Sequence, residues 1–292
     1  MRHPRPGPGR PAIAAVAGSF GRDIEACVES VEQTIRLARA RGATLIVFPE
    51  TALGGYVYEA GPGEPPAAAA APPALPRHAD AFARLARAAG PAVICLGYTE
   101  AAPGGPFSSA ICLSGDGILG HHRKVHLPPG ERSVFSPGDG FAAFETPVGR
   151  LGMLVCYDKV FPEAARALAV DGAEIVACLA AWPVCRLRPA RRTRDDRQVH
   201  HLNLLDQARA VENQVVWVSA NHHGRVGRLR FPGHAKVVDP SGRVLATTGD
   251  RSGIALAHID PRAAVAAVRA ELSHLGDRLP GAYAPGAARH AA

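Results

Sequence analysis

The sequence predicts an α/β fold: two mixed β-sheets with helices covering their outer faces. Three observations predict it. Apolar runs of strand length alternate with segments of helical period. Tight hairpins are interleaved among those strand–helix units. Neither an internal repeat nor a linker divides the 292 residues. That length is large for one domain, but large α/β domains reach it. A composition of 47% hydrophobic and 20% charged residues is that of a globular chain.

Residues 1–10 are rich in Pro, Gly and Arg and read as a disordered tail. "AIAAVAG" (12–18) is a buried strand. Ile24, Cys27, Val28, Val31, Ile35 and Ala38 then follow helical spacing, and Gly42 closes the helix. "TLIVFPE" (44–50) is a buried strand that stops at Pro49-Glu50. The low-complexity stretch 60–76 reads as a lid or an insertion. A helix over 77–89 and the strand "AVICLGYTE" (92–100) follow. Two hairpins come next, one turning at Ser-Gly-Asp-Gly (114–117) and one at Pro-Val-Gly (147–149). After Cys156 come a helix, the strand 174–180, a polar helix over 196–212, the strand 214–221 and a final meander. The expected domain spans 11–275, with a C-terminal tail over 276–292.

The formal charge is +7. Of the 33 basic residues only Lys124, Lys159 and Lys236 are lysine. The arginine excess fits a GC-rich genome better than a binding surface. The basic cluster "RLRPARRTRDDR" (186–197) has no aromatic residue and contains two aspartates, so it reads as a solvated loop. A non-catalytic basic protein that binds nucleic acid on its arginines is the rival class. No run of 18 uncharged apolar residues marks a membrane span. No signal-peptide core follows the N-terminus, so a cytoplasmic location is the default expectation. None of the six cysteines forms a C-x-x-C pair, and reduced thiols are expected.

Cys156 stands apart from the other cysteines. It ends a strand, and Pro162 suits the first turn of the helix that follows. A helix N-terminus there favours thiolate. The strand-to-helix turn exposes a side chain beside backbone N–H groups, notably that of Tyr157, able to meet an oxyanion. Glu50 ends a buried strand, where partial burial would make it a competent base. Lys124 ends another strand, and a compact ammonium suits a developing oxyanion. The paired histidines 121–122, 200–201 and 222–223 resemble zinc ligands, but neighbours on a strand point to opposite faces. No metal site is expected.

"VFPE…GGY", "HRKVHLP…E" and "VCYDKVFPE" together resemble the three signature blocks of the nitrilase superfamily of carbon–nitrogen hydrolases. The resemblance runs from about residue 12 to 260. It implies a four-layer αββα sandwich, paired into a homodimer or a larger even oligomer. It implies a Glu50–Lys124–Cys156 triad, with Glu131 supporting the lysine and the Tyr157 N–H in the oxyanion hole. It implies no metal and no organic cofactor. The expected reaction is hydrolysis of a linear carboxamide to acid and ammonia through a cysteine thioester. An N-carbamoyl amine hydrolase is the second reading, and a nitrilase the third. Tyr56, Trp182 and Asn221 are candidate substrate contacts. Ala235 departs from the serine frequent at that place in the family.

Overall fold

The computed structural model describes residues 11–57 and 72–283. The expectations for 1–10, for most of the 60–76 stretch and for the end of the C-terminal tail lie outside those residues.

The first strand, β1 (Ala12–Gly18), is buried almost throughout, as an uninterrupted apolar run requires. Helix α1 (Ile24–Ala40) starts at Asp23, whose carboxylate accepts from the Ala26 N–H. Its buried positions are Cys27, Val28, Val31, Ile35 and Ala38, the spacing predicted. Strand β2 (Ala43–Val47) and helix α2 (Asp80–Ala89) follow. The predicted start of α2 at 77 moves to Asp80, because 76–79 form a turn closed by Ala79 N–H to Pro76 O. Strands β3 (Val93–Ala102), β4 (Gly105–Ser114) and β5 (Gly117–Arg123) form an antiparallel meander. Strands β6 (Ala143–Phe144) and β7 (Leu151–Val155) make the second predicted hairpin. A 3₁₀ turn over Cys156–Val160 leads into α3 (Pro162–Val170). Then come β8 (Ile175–Ala180), α4 (Arg197–Asn213), β9 (Val216–Val226), β10 (Leu229–Pro232), β11 (Lys236–Val238), β12 (Val244–Thr247), β13 (Gly253–His258) and α5 (Pro261–Glu271).

Hydrogen bonding links the strands expected in two sheets into one continuous path. One path runs β5-β4-β3-β2-β1-β9-β8-β7-β6, with β10 to β13 branching from it. The join is the end of β1, where Ala17 and Gly18 pair in parallel with Asn221 and His222 of β9. The sheet curls until it is nearly closed, so that β4 and β5 lie against β7 and β3 against β8. Inside the curl, Ile13, Leu45, Val93 and Ala110 share a core with Met153, Ala177 and Val218. The outer faces pack on helices: Val31, Ile35 and Leu85 against Ile46 and Ile94, and Ala165 and Leu168 against Val176 and Trp217. Alternate residues of each strand therefore feed different cores. Among the described residues, no helix is long and apolar enough to cross a membrane. Each of the chain's three lysines is buried, with exposures of 0% for Lys124 and Lys159 and 2% for Lys236.

Candidate active site

Glu50 lies just beyond β2, in a turn whose next residue, Thr51, has φ +44°. The turn presses on β3 at Gly97. A Cβ there would stand 2.4 Å from Thr51 N and 2.6 Å from Glu50 Cα, so the approach needs glycine. His222 of β9 sits 2.7 Å from Glu50 O through Nε2. Burial pushes this imidazole down to about 4, so it is neutral and donates from Nε2. The Glu50 carboxylate is fully buried. Its Oε1 accepts from Lys124 Nζ at 2.7 Å and Ser108 Oγ at 3.1 Å, and its Oε2 from the Ala181 N–H at 3.0 Å.

Lys124 follows β5 and also donates to both oxygens of Glu131, at 2.7 and 2.8 Å. Burial alone would discharge the ammonium, but Glu131 and Glu50 outweigh it and hold the proton firmly. Burial pushes Glu131 the other way, up to about 7, against the pull of Lys124. Its Oε1 also accepts from the Tyr56 hydroxyl at 2.5 Å. One cation is thus clamped between two buried carboxylates.

Cys156 closes β7 with φ +48°, in the left-handed region where a side chain is strained. Asp158 fixes the turn. Its Oδ2 accepts from the Val155 N–H at 3.1 Å and lies 3.2 Å from His122 Nε2. Its Oδ1 accepts from the His126 N–H at 2.9 Å and lies 2.9 Å from His126 Nδ1. The predicted thiolate-favouring helix end is not what surrounds the sulfur. The 3₁₀ turn intervenes, and α3 starts only at Pro162. The residue is 6% exposed, and burial, reinforced by Glu50, pushes the pKa of its thiol well above the ordinary value. Cys156 therefore rests protonated and needs a base.

A cavity of about 450 Å³ opens onto Cys156, walled by Tyr56, Glu131, Tyr157, Trp182 and Leu229. The family profile for carbon–nitrogen hydrolases matches residues 12–269 of this chain. The chain belongs to the carbon–nitrogen hydrolase family. It is similar to an (R)-stereoselective amidase of a Pseudomonas species, 36% identical over 78% of each chain. It is similar to the N-carbamoylputrescine amidase of Solanum lycopersicum, 30% identical over 82% of each chain. The crystal structure of a carbon–nitrogen hydrolase from Helicobacter pylori G27 superposes with a TM-score of 0.78 at 25% identity, covering 94% of this chain and 96% of that one.

In this carbon–nitrogen hydrolase, the structure brings Glu50, Lys124, Glu131 and Cys156 together from three separate stretches of chain. Tyr56 and Trp182, two of the candidate substrate contacts, border the cavity. Asn221 does not. It is fully buried, accepts from the Trp182 N–H at 2.7 Å, and donates to Trp182 O at 3.2 Å and Gly233 O at 2.8 Å. Its polar atoms are committed to the backbone of Trp182 and Gly233, so it holds the Trp182 wall rather than lining the cavity. The 186–197 segment is not simply a solvated loop. Asp196 gathers it by accepting from the N–H groups of Cys185, Ala190 and Gln198, and Arg186 and Arg197 reach the cavity rim. Cys185 is buried in the cavity wall. The sequence reading missed Ser108, which no local pattern marks, and noted His222 only as half of a pair resembling zinc ligands. It also passed over Asp158, although the acid stands two residues after Cys156. Among the described residues, no group of three or more His, Cys, Asp or Glu side chains could hold a metal ion.

Asp158 carries a pH prediction. Burial would raise its pKa, but hydrogen bonds from His122 and His126 outweigh burial and hold it well below the ordinary carboxylate range. Its folded pKa is depressed, so its stabilising contribution is complete above about pH 4 and is lost as pH falls further. The melting temperature is expected to drop between pH 4 and pH 2. Asp158→Asn, lower at neutral pH, should lose part of that slope. Parallel melting curves for the two proteins across this range would contradict the assignment.

Proposed function

We propose that this hydrolase cleaves linear carboxamides to acid and ammonia through a thioester on Cys156. The observation that carries this reading is the Glu50–Lys124–Glu131 clamp beside a buried, protonated thiol at the cavity floor. Glu50 takes the thiol proton as Sγ bonds to the amide carbon. The carbonyl electrons move onto oxygen, where Lys124 and the Tyr157 N–H hold the charge. The C–N bond then breaks and Glu50 returns the proton to the departing nitrogen. Water, activated by Glu50, attacks the thioester, releases the acid and restores the thiol. Glu131 keeps Lys124 charged and aimed. The amidase relative supports this substrate class.

The N-carbamoylputrescine amidase relative favours a second reading, a carbamoyl amine substrate. Recognition of a cationic amine calls for a carboxylate in the wall. Among the described lining residues the sole carboxylate is Glu131, already bound to Lys124 and Tyr56. A neutral carboxamide fits better. The test is ammonia release over matched carboxamides, N-carbamoyl amines and nitriles. Carboxamides are expected to give the highest kcat/KM, and a panel led by ureas or nitriles would replace this reading.

We read the curled sheet as the two inner layers of a four-layer αββα sandwich. The core inside the curl and the two helix-covered outer cores support that arrangement. Residues 11–275 are taken as one domain. We expect a homodimer or larger even oligomer seated on α3 and α4, where Val170, Leu204 and Val211 are exposed. Light scattering at micromolar protein should give at least twice the chain mass, and a strictly monomeric mass would remove the proposal. Nucleic acid is not a partner in this reading, because the arginine segment borders the substrate cavity. Six free cysteines suit a reducing cytoplasm.

A further inference from the structure

Lys159 and Lys236, which the reaction scheme leaves unused, converge on one carboxylate. Lys159 Nζ donates to Asp206 Oδ1 at 2.8 Å, and Lys236 Nζ donates to Asp206 Oδ2 at 2.6 Å. The Trp217 indole N–H adds a bond to Oδ1 at 2.9 Å. All three charged side chains are buried. They come from the Cys156 turn, from α4 and from β11, so the cluster ties three elements at one point. Asp206 is held ionised: burial opposes it, but Lys159 and Lys236 pull it down to about 2. Two ammonium groups against one carboxylate carry a formal net positive charge in the interior, and burial, with Lys159 adding to it, pulls the Lys236 pKa below the usual lysine value.

The cluster acts on the nucleophile turn in two ways. Lys159 stands three residues after Cys156, and its Nζ lies 5.0 Å from the centroid of the Trp182 ring in the cavity wall. One turn along the same face of α4 from Asp206, Arg209 donates to Lys159 O and Val160 O, both at 2.9 Å. The side chain and backbone of the turn are thus anchored to one helix. Lys159 is also near enough to the sulfur to favour its charged form electrostatically. Stability alone does not account for such a cluster, because well-packed apolar residues commonly replace a buried ionic group at no loss. Apolar side chains would supply neither the directed bond to the turn nor the positive charge.

We propose that Lys159, set in place by Asp206 and Lys236, is a positioning residue for Cys156: it aims the nucleophile turn and steadies the sulfur as its proton leaves. The inference rests on the reading of Cys156 as nucleophile. A small displacement of a nucleophile lowers kcat steeply without weakening substrate binding.

The test replaces the whole cluster with Lys159→Met, Asp206→Leu and Lys236→Met, so that no charge is left unpaired. Melting temperature, kcat and KM on the best carboxamide of the panel, and the rate of Cys156 alkylation by iodoacetamide are measured. The expected result is a folded protein with KM within about twofold of the parent, and kcat and alkylation rate each about 10- to 100-fold lower. Lys236→Met alone keeps the Lys159–Asp206 bond and removes the net charge. It is the deciding variant if the triple one fails to fold, with kcat and alkylation expected to fall several-fold. A folded variant whose kcat and alkylation rate stay within twofold overturns the proposal, as does a rise in KM at constant kcat. Cys156→Ala run alongside separates the two readings. If it retains turnover, both fall. If it is inactive while the triple variant is fully active, only the role of Lys159 falls.

Discussion

Cys156→Ala is expected to reduce turnover to background, a loss on the order of a million-fold in kcat, as for nucleophile removal in other covalent hydrolases. The reason is geometric. Among six cysteines it alone ends a strand at the cavity floor with a carboxylate base beside it. Cys156→Ser should be nearly as inactive. The thiol already sits well above its ordinary pKa, and a hydroxyl starts far higher. The fold should survive both changes. Cys156→Gly provides a separate check on the turn, because glycine relieves the strain of φ +48°. It should be more stable than Cys156→Ala by about 1 kcal/mol, near 2 °C in melting temperature for a chain of this size. Appreciable turnover in Cys156→Ala would remove the nucleophile from this residue.

Lys124→Arg and Lys124→Ala are expected to lose turnover alike, by at least about 100-fold in kcat. A planar guanidinium is larger than the compact ammonium and would crowd the tetrahedral carbon. The geometry sharpens it: a single nitrogen stands 2.7 to 2.8 Å from three carboxylate oxygens, a site with no space for a fork of donors. Stability is where expectation and structure part. A lysine facing an open pocket could be removed at little cost in melting temperature, but Lys124 is fully buried between Glu50 and Glu131. Lys124→Ala strands two carboxylates without their cation, at a cost of about 3–5 kcal/mol. The Glu131 carboxyl, already pushed up to about 7 by burial, should rise further without its cation, so the deficit should grow as pH rises through neutrality and shrink as pH falls toward about 4. Near wild-type turnover in Lys124→Arg would show that charge alone matters there, and the oxyanion geometry would be wrong.

The three proposed triad residues could be singled out in the sequence because each stands at the end of a strand, and strand ends are visible as interruptions of apolar runs. "LIVFPE" and "GMLVC" mark Glu50 and Cys156 without any knowledge of the fold. The residues that make the triad work were not legible, because their partners are remote in sequence. His222 reaches Glu50 across 172 positions, and Ala181 across 131. The protonation state of Cys156 was misread for a related reason. A helix end is a local feature, whereas burial and a facing carboxylate are tertiary ones, and they dominate. Sheet continuity was hidden too, since a two-residue contact between β1 and β9 decides it.

The burial of every lysine reaches beyond catalysis. No lysine occurs in any other part of the chain, so no side-chain amine faces solvent. Acylating dyes, amine cross-linkers and lysine-directed proteases find no side-chain target on the folded protein. All three ammonium groups become accessible once the core opens. The rate at which an N-hydroxysuccinimide ester modifies Lys124, Lys159 and Lys236 is then a direct readout of the unfolded population, requiring no engineered label.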